Sequence, residues 1–480
     1  MSKTKAFKII LSILFVAFFL LFLSSCVDGV SEGSIIVTIA SENSKVPGNI
    51  VSGGLLQNFP EAQLIALDPE DPSKPIKVLT KGFYSAQSPK VSFDGKHILF
   101  AAQQKQGDVW QIWEMNLKNC KARKVVQSSQ NCTYPTYLPG GRLVYGQQAA
   151  YGGLETVNFL FTCNLDGSDI KQITFSPQPN LGSIVLKDGR VLTVNQSVSL
   201  ENKVAIYTAM RPDGTKAEMF YGGNITSSLG VAKETGNGKI VFVEMAGGSE
   251  MNTKSDVVSI SYNIPLHSHV NLTEGIAGLF RDVFPMKSGK FLVACRPENE
   301  DRFGLYELDT DGKSLGKLIY HDPMFDVLEV TVIETQHRPR KLPSEVELGV
   351  KSGLLLCQDV NFRGIQTPEI ASLTPRAEWI EIIGMDSTLG VVPLEKDGSF
   401  YLKVVADKPF RIQTLDEYGN VFGKPCNWLY LRPNERRGCV GCHEDPEQVP
   451  ENRQPLAVKK DPELIPSIHM FKKEKEIDLE

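Results

Sequence analysis

The chain has 480 residues, with 51 Lys and Arg against 56 Asp and Glu, and a formal charge of -5. A mildly acidic chain gives no electrostatic ground for nucleic-acid binding. At roughly 150 residues per domain the length allows two or three domains, and 40 Gly with 28 Pro call for many turns.

Lys3, Lys5 and Lys8 precede an apolar run from Ile9 to Leu23, and Ser24 and Ser25 follow. A basic start, a short apolar core and small residues describe a secretory signal peptide over residues 1–25. The run is shorter than the roughly 20 residues of a spanning helix. Leu23-Ser24-Ser25-Cys26 resembles the bacterial lipobox. That resemblance implies lipidation of Cys26, a membrane partner reached through the lipid, and a mature chain in the bacterial cell envelope outside the cytoplasm. Loss of residues 1–25 removes three Lys and no acid, shifting the charge from -5 to -8.

From residue 90 a repeat emerges. "VSFDGKHILFA", "TYLPGGRLVYG", "IVLKDGRVLTV", "KETGNGKIVFV" and "FPMKSGKFLVA" align on Gly95, Gly141, Gly189, Gly238 and Gly289, spaced by 46, 48, 49 and 51 residues. Each Gly sits where a tight hairpin needs positive φ, and the next residues are Val, Ile, Leu and Phe. A second strand-turn-strand signal follows each, as in "LFTCNLDGSDIKQIT" and "LYELDTDGKSLGKLI". Two hairpins per repeat make a four-stranded propeller blade.

An early extra copy, "LIALDPEDPSKPIKVL", lacks its first half. "SIIVTIA" (Ser34 to Ala40) paired with "VLEVTVIE" (Val327 to Glu334) supplies it, closing the ring with both ends of the domain. Closure leaves few exposed strand edges. The fold class is therefore all-β, a six-bladed β-propeller over residues 26–340 resembling the TolB-like propellers, followed by a small β-sandwich. Propeller repeats carry little chemistry of their own, and serve more often as binding surfaces. His267-x-His269 is either a metal pair or a polar hairpin. Cys120 and Cys132 either bridge a hairpin or, with Cys163 and Cys295, are buried thiols.

"HRPRKLPSE", His337 to Glu345, is Pro-rich and charged and reads as a linker. Beyond it the strands lose their regular spacing: "GLLLCQDVNF", "AEWIEIIGM", "GVVPLEKDGSFYLKVVA", "PFRIQTLDEYGNVF" and "WLYLRP". Five to seven strands over residues 341–431 suit a small sandwich. Residues 432–480 hold "ERRGCVGCHEDPE" and a charged tail.

Cys439, Cys442 and His443 stand in the order C-x-x-C-H. Two thiols at that spacing reach both vinyl groups of one porphyrin, and the adjacent His ligates iron, so the motif reads as one covalent haem c. Zinc is the competing cofactor, drawing on Cys357 and Cys426 with the motif residues. A Cys439–Cys442 disulfide is the third reading. His469 and Met470 are the candidate distal ligands of the iron; without them the iron is open to a small molecule.

The ordered motifs "LLLCQDVNF", "LGVVPLEKDGSFYLKV", "FRIQTLDEYGNV" and "LRPNERRGCVGCHEDPE" are similar to the middle domain of the hydrazine synthase alpha subunit. The resemblance implies a haem-bearing domain behind a propeller, and a zinc shared between Cys357 and His443. In the synthase itself a Tyr four residues after the motif His ligates iron. Here that position is Glu447, which departs from the pattern that hydrazine synthesis uses. The expected protein is a lipid-anchored c-type haem carrier that transfers electrons and docks a redox protein partner on its propeller. An open-iron oxidoreductase acting on a small nitrogen or oxygen compound and a zinc-stabilised binding module are the alternatives.

Overall fold

The computed structural model describes residues 29–41, 58–68, 70–73, 75–151, 154–198, 203–222, 228–245, 254–309, 314–362, 375–422, 426–440, 447 and 452–466. Among these, strands dominate and helix is limited to two short 3-10 turns. No helix there is long and apolar enough to cross a membrane. The signal segment and Cys26 lie outside the described residues.

Six antiparallel sheets follow one another from Ile35 to Val332. Their turn glycines have the conformation the hairpins require. Gly95, Gly141, Gly189, Gly238 and Gly289 all have positive φ, between 70° and 95°. The strand after each is apolar and buried, as in His97–Gln103 and Lys239–Met245. Phe100, Tyr145, Tyr207, Phe242 and Phe280 are fully buried. Each such side chain stabilises the packing by roughly 1.5–3 kcal/mol.

One sheet joins both ends of the propeller. Phe325–Val332 pairs antiparallel with Ile35–Ser41, placing Ile35 opposite Val332 and Val37 opposite Val330. Gln63–Leu67 and Pro75–Val78 complete that sheet. The strand Phe325–Val332 also packs against Ser85–Val91 on one side and Gly278–Pro285 on the other. The sheets therefore contact one another in a closed cycle around an axis.

Residues 337–345, read above as a linker, are pinned with the residues just before them along the hairpin tips instead. The Gln336 amide donates to the Phe93 carbonyl at 2.9 Å and the Arg340 amide to the Lys187 carbonyl at 3.1 Å. Glu345 N–H and Ser344 Oγ donate to the Asp213 carboxylate at 2.7 and 3.0 Å. A Cβ on Gly189 would meet the Arg340 carbonyl oxygen at 2.2 Å, so a glycine tip is what lets the segment approach. Pro and charge do not make a segment free when its backbone polar groups find partners.

The second unit is a two-sheet sandwich. One sheet has the order Arg436–Cys439, Ser352–Cys357, Phe400–Val405, Glu463–Ile465, and the other Thr388–Pro393, Trp379–Ile383, Arg411–Leu415, Val421–Phe422. Leu355, Leu402, Ile380 and Phe410 pack between them. It has eight strands where five to seven are expected, because Arg436–Cys439 and Glu463–Ile465 join as short parallel edges. Neither carries an alternating pattern. "WLYLRP" makes only an isolated bridge, Leu429 to Phe410, before its Tyr430 turns to the propeller.

Candidate haem-attachment site

Cys439 ends its edge strand directly beside Cys357. The two are register partners in the parallel pair, and the ladder continues with Gln358 N–H donating to the Cys439 carbonyl and Asp359 N–H to that of Val440. Cys439 is part-exposed, while Cys357 is buried. Cys426 lies within electrostatic reach of Cys439, and burial pushes its thiol up to about 11 despite the Ile412 N–H that donates to its sulfur at 3.1 Å. The three cysteines thus belong to one core, against which Cys426 and Cys439 are packed.

Cys442 and His443 lie outside the described residues, but both flanks are fixed. On the far side, Arg453 donates to the Gln358 carbonyl at 3.3 Å and to the Asp359 and Asp397 groups at 3.1 Å. The chain therefore leaves the sheet and returns to it at the same place, Gln358 and Asp359. Beyond Arg453, Leu456 N–H donates to Asp397 and Ala457 N–H to Ser399 Oγ, leading into the last edge strand.

Before the motif, Glu435 is fully buried and accepts from Lys216 N–H at 2.7 Å, Arg432 N–H at 2.8 Å and the Arg437 guanidinium at 2.7 Å. Lys216 belongs to the propeller, so this carboxylate ties the two units immediately ahead of Cys439. The Tyr430 hydroxyl lies 3.1 Å from the Gly214 carbonyl and 3.2 Å from that of Ile173. Glu447 accepts from the Leu266 N–H at 2.6 Å, with its other oxygen 3.9 Å from His267 Nε2.

Residues 329–444 match the model of the hydrazine synthase alpha subunit middle domain. The chain is 23% identical to hydrazine synthase subunit alpha of Kuenenia stuttgartiensis over 82% of its own length, and spans 64% of that relative. Residues 329–444 belong to the hydrazine synthase alpha middle-domain family. The solved Kuenenia stuttgartiensis hydrazine synthase superimposes with a TM-score of 0.76 at 18% identity, over 90% of this chain and 72% of that one. This likeness shows that the hydrazine synthase fold is shared. TolB from Acinetobacter baumannii gives a TM-score of 0.43 at 15% identity, over 62% of this chain and 66% of its own.

Within that hydrazine synthase alpha-type fold the remaining candidates separate. Among the described residues no three Cys, His, Asp or Glu side chains converge as a metal site. Cys120, Cys132, Cys163 and Cys295 are free thiols, so the Cys120–Cys132 bridge is not formed. Burial raises Cys132 and Cys295 to about 12. His267 ends a 3-10 turn, His269 lies beyond it, and the two face different partners: His269 Nε2 is 3.0 Å from Glu244, and His267 faces Glu447. His469 and Met470 lie outside the described residues. The anchors Glu435, Tyr430 and Arg453 were not singled out from the sequence, since each is one polar residue whose partner is far away in the chain.

Proposed function

We propose that the chain is an exported, lipid-anchored c-type haem protein that transfers electrons and docks a redox partner through its propeller. What carries the reading is the position of the C-x-x-C-H motif, leaving a sheet of a hydrazine synthase alpha-type middle domain at Cys439, with both flanks anchored. The donor set fits haem: two thiols and an imidazole, with Cys439 part-exposed at a strand end.

Cys439 and Cys442 would hold the porphyrin through thioethers, and His443 would ligate the iron. A haem held there supplies a one-electron couple. The residues of this chain set its surroundings. Glu435, with Arg437 and Lys216, fixes the strand that presents Cys439, and Arg453 fixes the return. Glu447 is committed to the Leu266 amide and is not offered as an iron ligand. Lipid on Cys26 would keep the protein at the membrane.

The name of the relative supports a second reading, a five-coordinate oxidoreductase acting on a small nitrogen or oxygen compound. Absorption spectra of the reduced protein with and without carbon monoxide separate the two. The electron-transfer reading expects no change with carbon monoxide, and a shifted Soret band would favour the open site.

A further inference from the structure

A cavity of about 950 Å³ runs down the propeller axis, walled in part by the pinned segment at Glu334 to Pro339. A narrow throat lies beneath it, formed by the innermost strand of every sheet. Five of these strands shift register at the throat, between Gln87 and Lys90, Thr133 and Thr136, Leu181 and Ile184, Phe280 and Asp282, and opposite Thr38 and Ile39. In the remaining sheet the strand is interrupted between Leu229 and Lys233. Ser88 and Tyr134 take φ of 58° and 51° there, a conformation that costs a non-glycine residue energy and that clusters at functional sites. Bulges re-aim side chains, and this ring of irregularities turns polar groups toward the axis.

The throat gathers Lys90, Lys233 and Arg281 with Asp282 and Glu329. Both carboxylates are already engaged. Asp282 accepts from Lys233 Nζ at 3.1 Å and from the Val330 N–H at 2.9 Å. Glu329 accepts from Thr38 Oγ1 at 2.6 Å and from the Ser88 N–H at 2.7 Å. The Lys90 ammonium, which borders both the throat and the large cavity, has no hydrogen bond or ion pair among the described residues. The throat lining thus holds three basic side chains and two acidic ones, and both acids are already engaged.

We infer that the axial channel binds a small oxyanion of the carboxylate or phosphate class, seated on the Lys90 ammonium. The size of the cavity admits an organic acid or a phosphate ester, and the open side of Lys90 faces it. Burial first, and then the neighbouring Lys233, lower Lys90 to about 7, against the opposing pull of Asp282 and Glu329. Arg281 and Tyr134 complete the charged and titratable groups of the throat. An arriving anion favours the charged ammonium, so binding takes up a proton near neutral pH and weakens as pH rises above about 7. The inference is independent of the haem reading.

Isothermal titration calorimetry of the full mature chain with succinate and with inorganic phosphate tests it, using sodium chloride at matched ionic strength as the control. The expected result is saturable binding of at least one probe, with proton uptake seen by comparing buffers of different ionisation enthalpy. Lys90→Met should weaken that binding about tenfold or more. Lys90→Arg should bind without proton uptake, and Lys317→Met, on an outer strand, should match the unsubstituted protein. A preference for succinate or phosphate assigns the source. Absence of saturable heat for both probes in the millimolar range, or equal binding by Lys90→Met, overturns the inference. If Lys90→Met does not fold by circular dichroism, retained proton uptake in Lys90→Arg overturns it.

Discussion

Glu447 accepts a hydrogen bond from the backbone N–H of Leu266 at 2.6 Å, joining the residues after the C-x-x-C-H motif to a turn of the propeller. The side chain is 11% exposed, and its second oxygen faces His267. The position that departs from the family pattern is therefore a contact between the two units. Glu447→Ala should leave the haem yield and absorption spectrum unchanged. It should lower stability by about 1–3 kcal/mol in urea denaturation. A change of iron spin state in this variant would mean that Glu447 reaches the iron.

Glu435 is the larger structural commitment. Its carboxylate is wholly buried against Arg437 and two backbone N–H groups, one from each unit. Removing one partner of a buried pair leaves the other charge stranded, at a cost of about 3–5 kcal/mol. Glu435→Ala should lose stability of that order in chemical denaturation, and more than Glu447→Ala.

Gly189 lies tight against the pinned segment, with φ of 95° and a Cβ position that would fall 2.2 Å from the Arg340 carbonyl oxygen. Gly189→Ala should push the segment off the hairpin tip. Limited trypsin digestion is expected to cut after Arg340 or Lys341 faster in the variant, while the far-ultraviolet circular dichroism stays the same.

Asp397 anchors the return from the motif. Burial alone would raise its pKa, but hydrogen bonds from Ser399 and the Leu456 N–H, with Arg453 nearby, hold it below the usual carboxylate value. A carboxylate with a depressed folded pKa contributes stability that is present above its unfolded value, about 3.9, and is lost as pH falls through the folded value. The protection of the amides of residues 453–460, taken relative to the intrinsic exchange rate at each pH, should therefore be high near neutrality and fall below about pH 4. Asp397→Asn should remove that acid dependence.

The propeller was legible because its signal is periodic: Gly95 through Gly289 mark one hairpin per repeat, and the alternation of apolar residues marks the strands. The ends could be matched because Ile35–Ser41 and Phe325–Val332 are both apolar and otherwise unpartnered. The edge strands Arg436–Cys439 and Glu463–Ile465 were not legible, since an edge of three or four residues can be charged and need not alternate. Nor was the docking of residues 333–346, which depends on backbone groups that every residue carries. The motif residues were visible as a motif. The carboxylates and arginine that hold their flanks act across distances that a local pattern does not encode.

We propose that Cys439 and Cys442 carry one covalent haem. The mature chain, produced in a host with haem-attachment machinery, should show a pyridine haemochrome spectrum of c type and an intact mass increased by one haem. The Cys439→Ala, Cys442→Ala double variant should show neither. A chain without added haem mass that binds stoichiometric zinc, or a double variant with normal haem yield, would contradict the account.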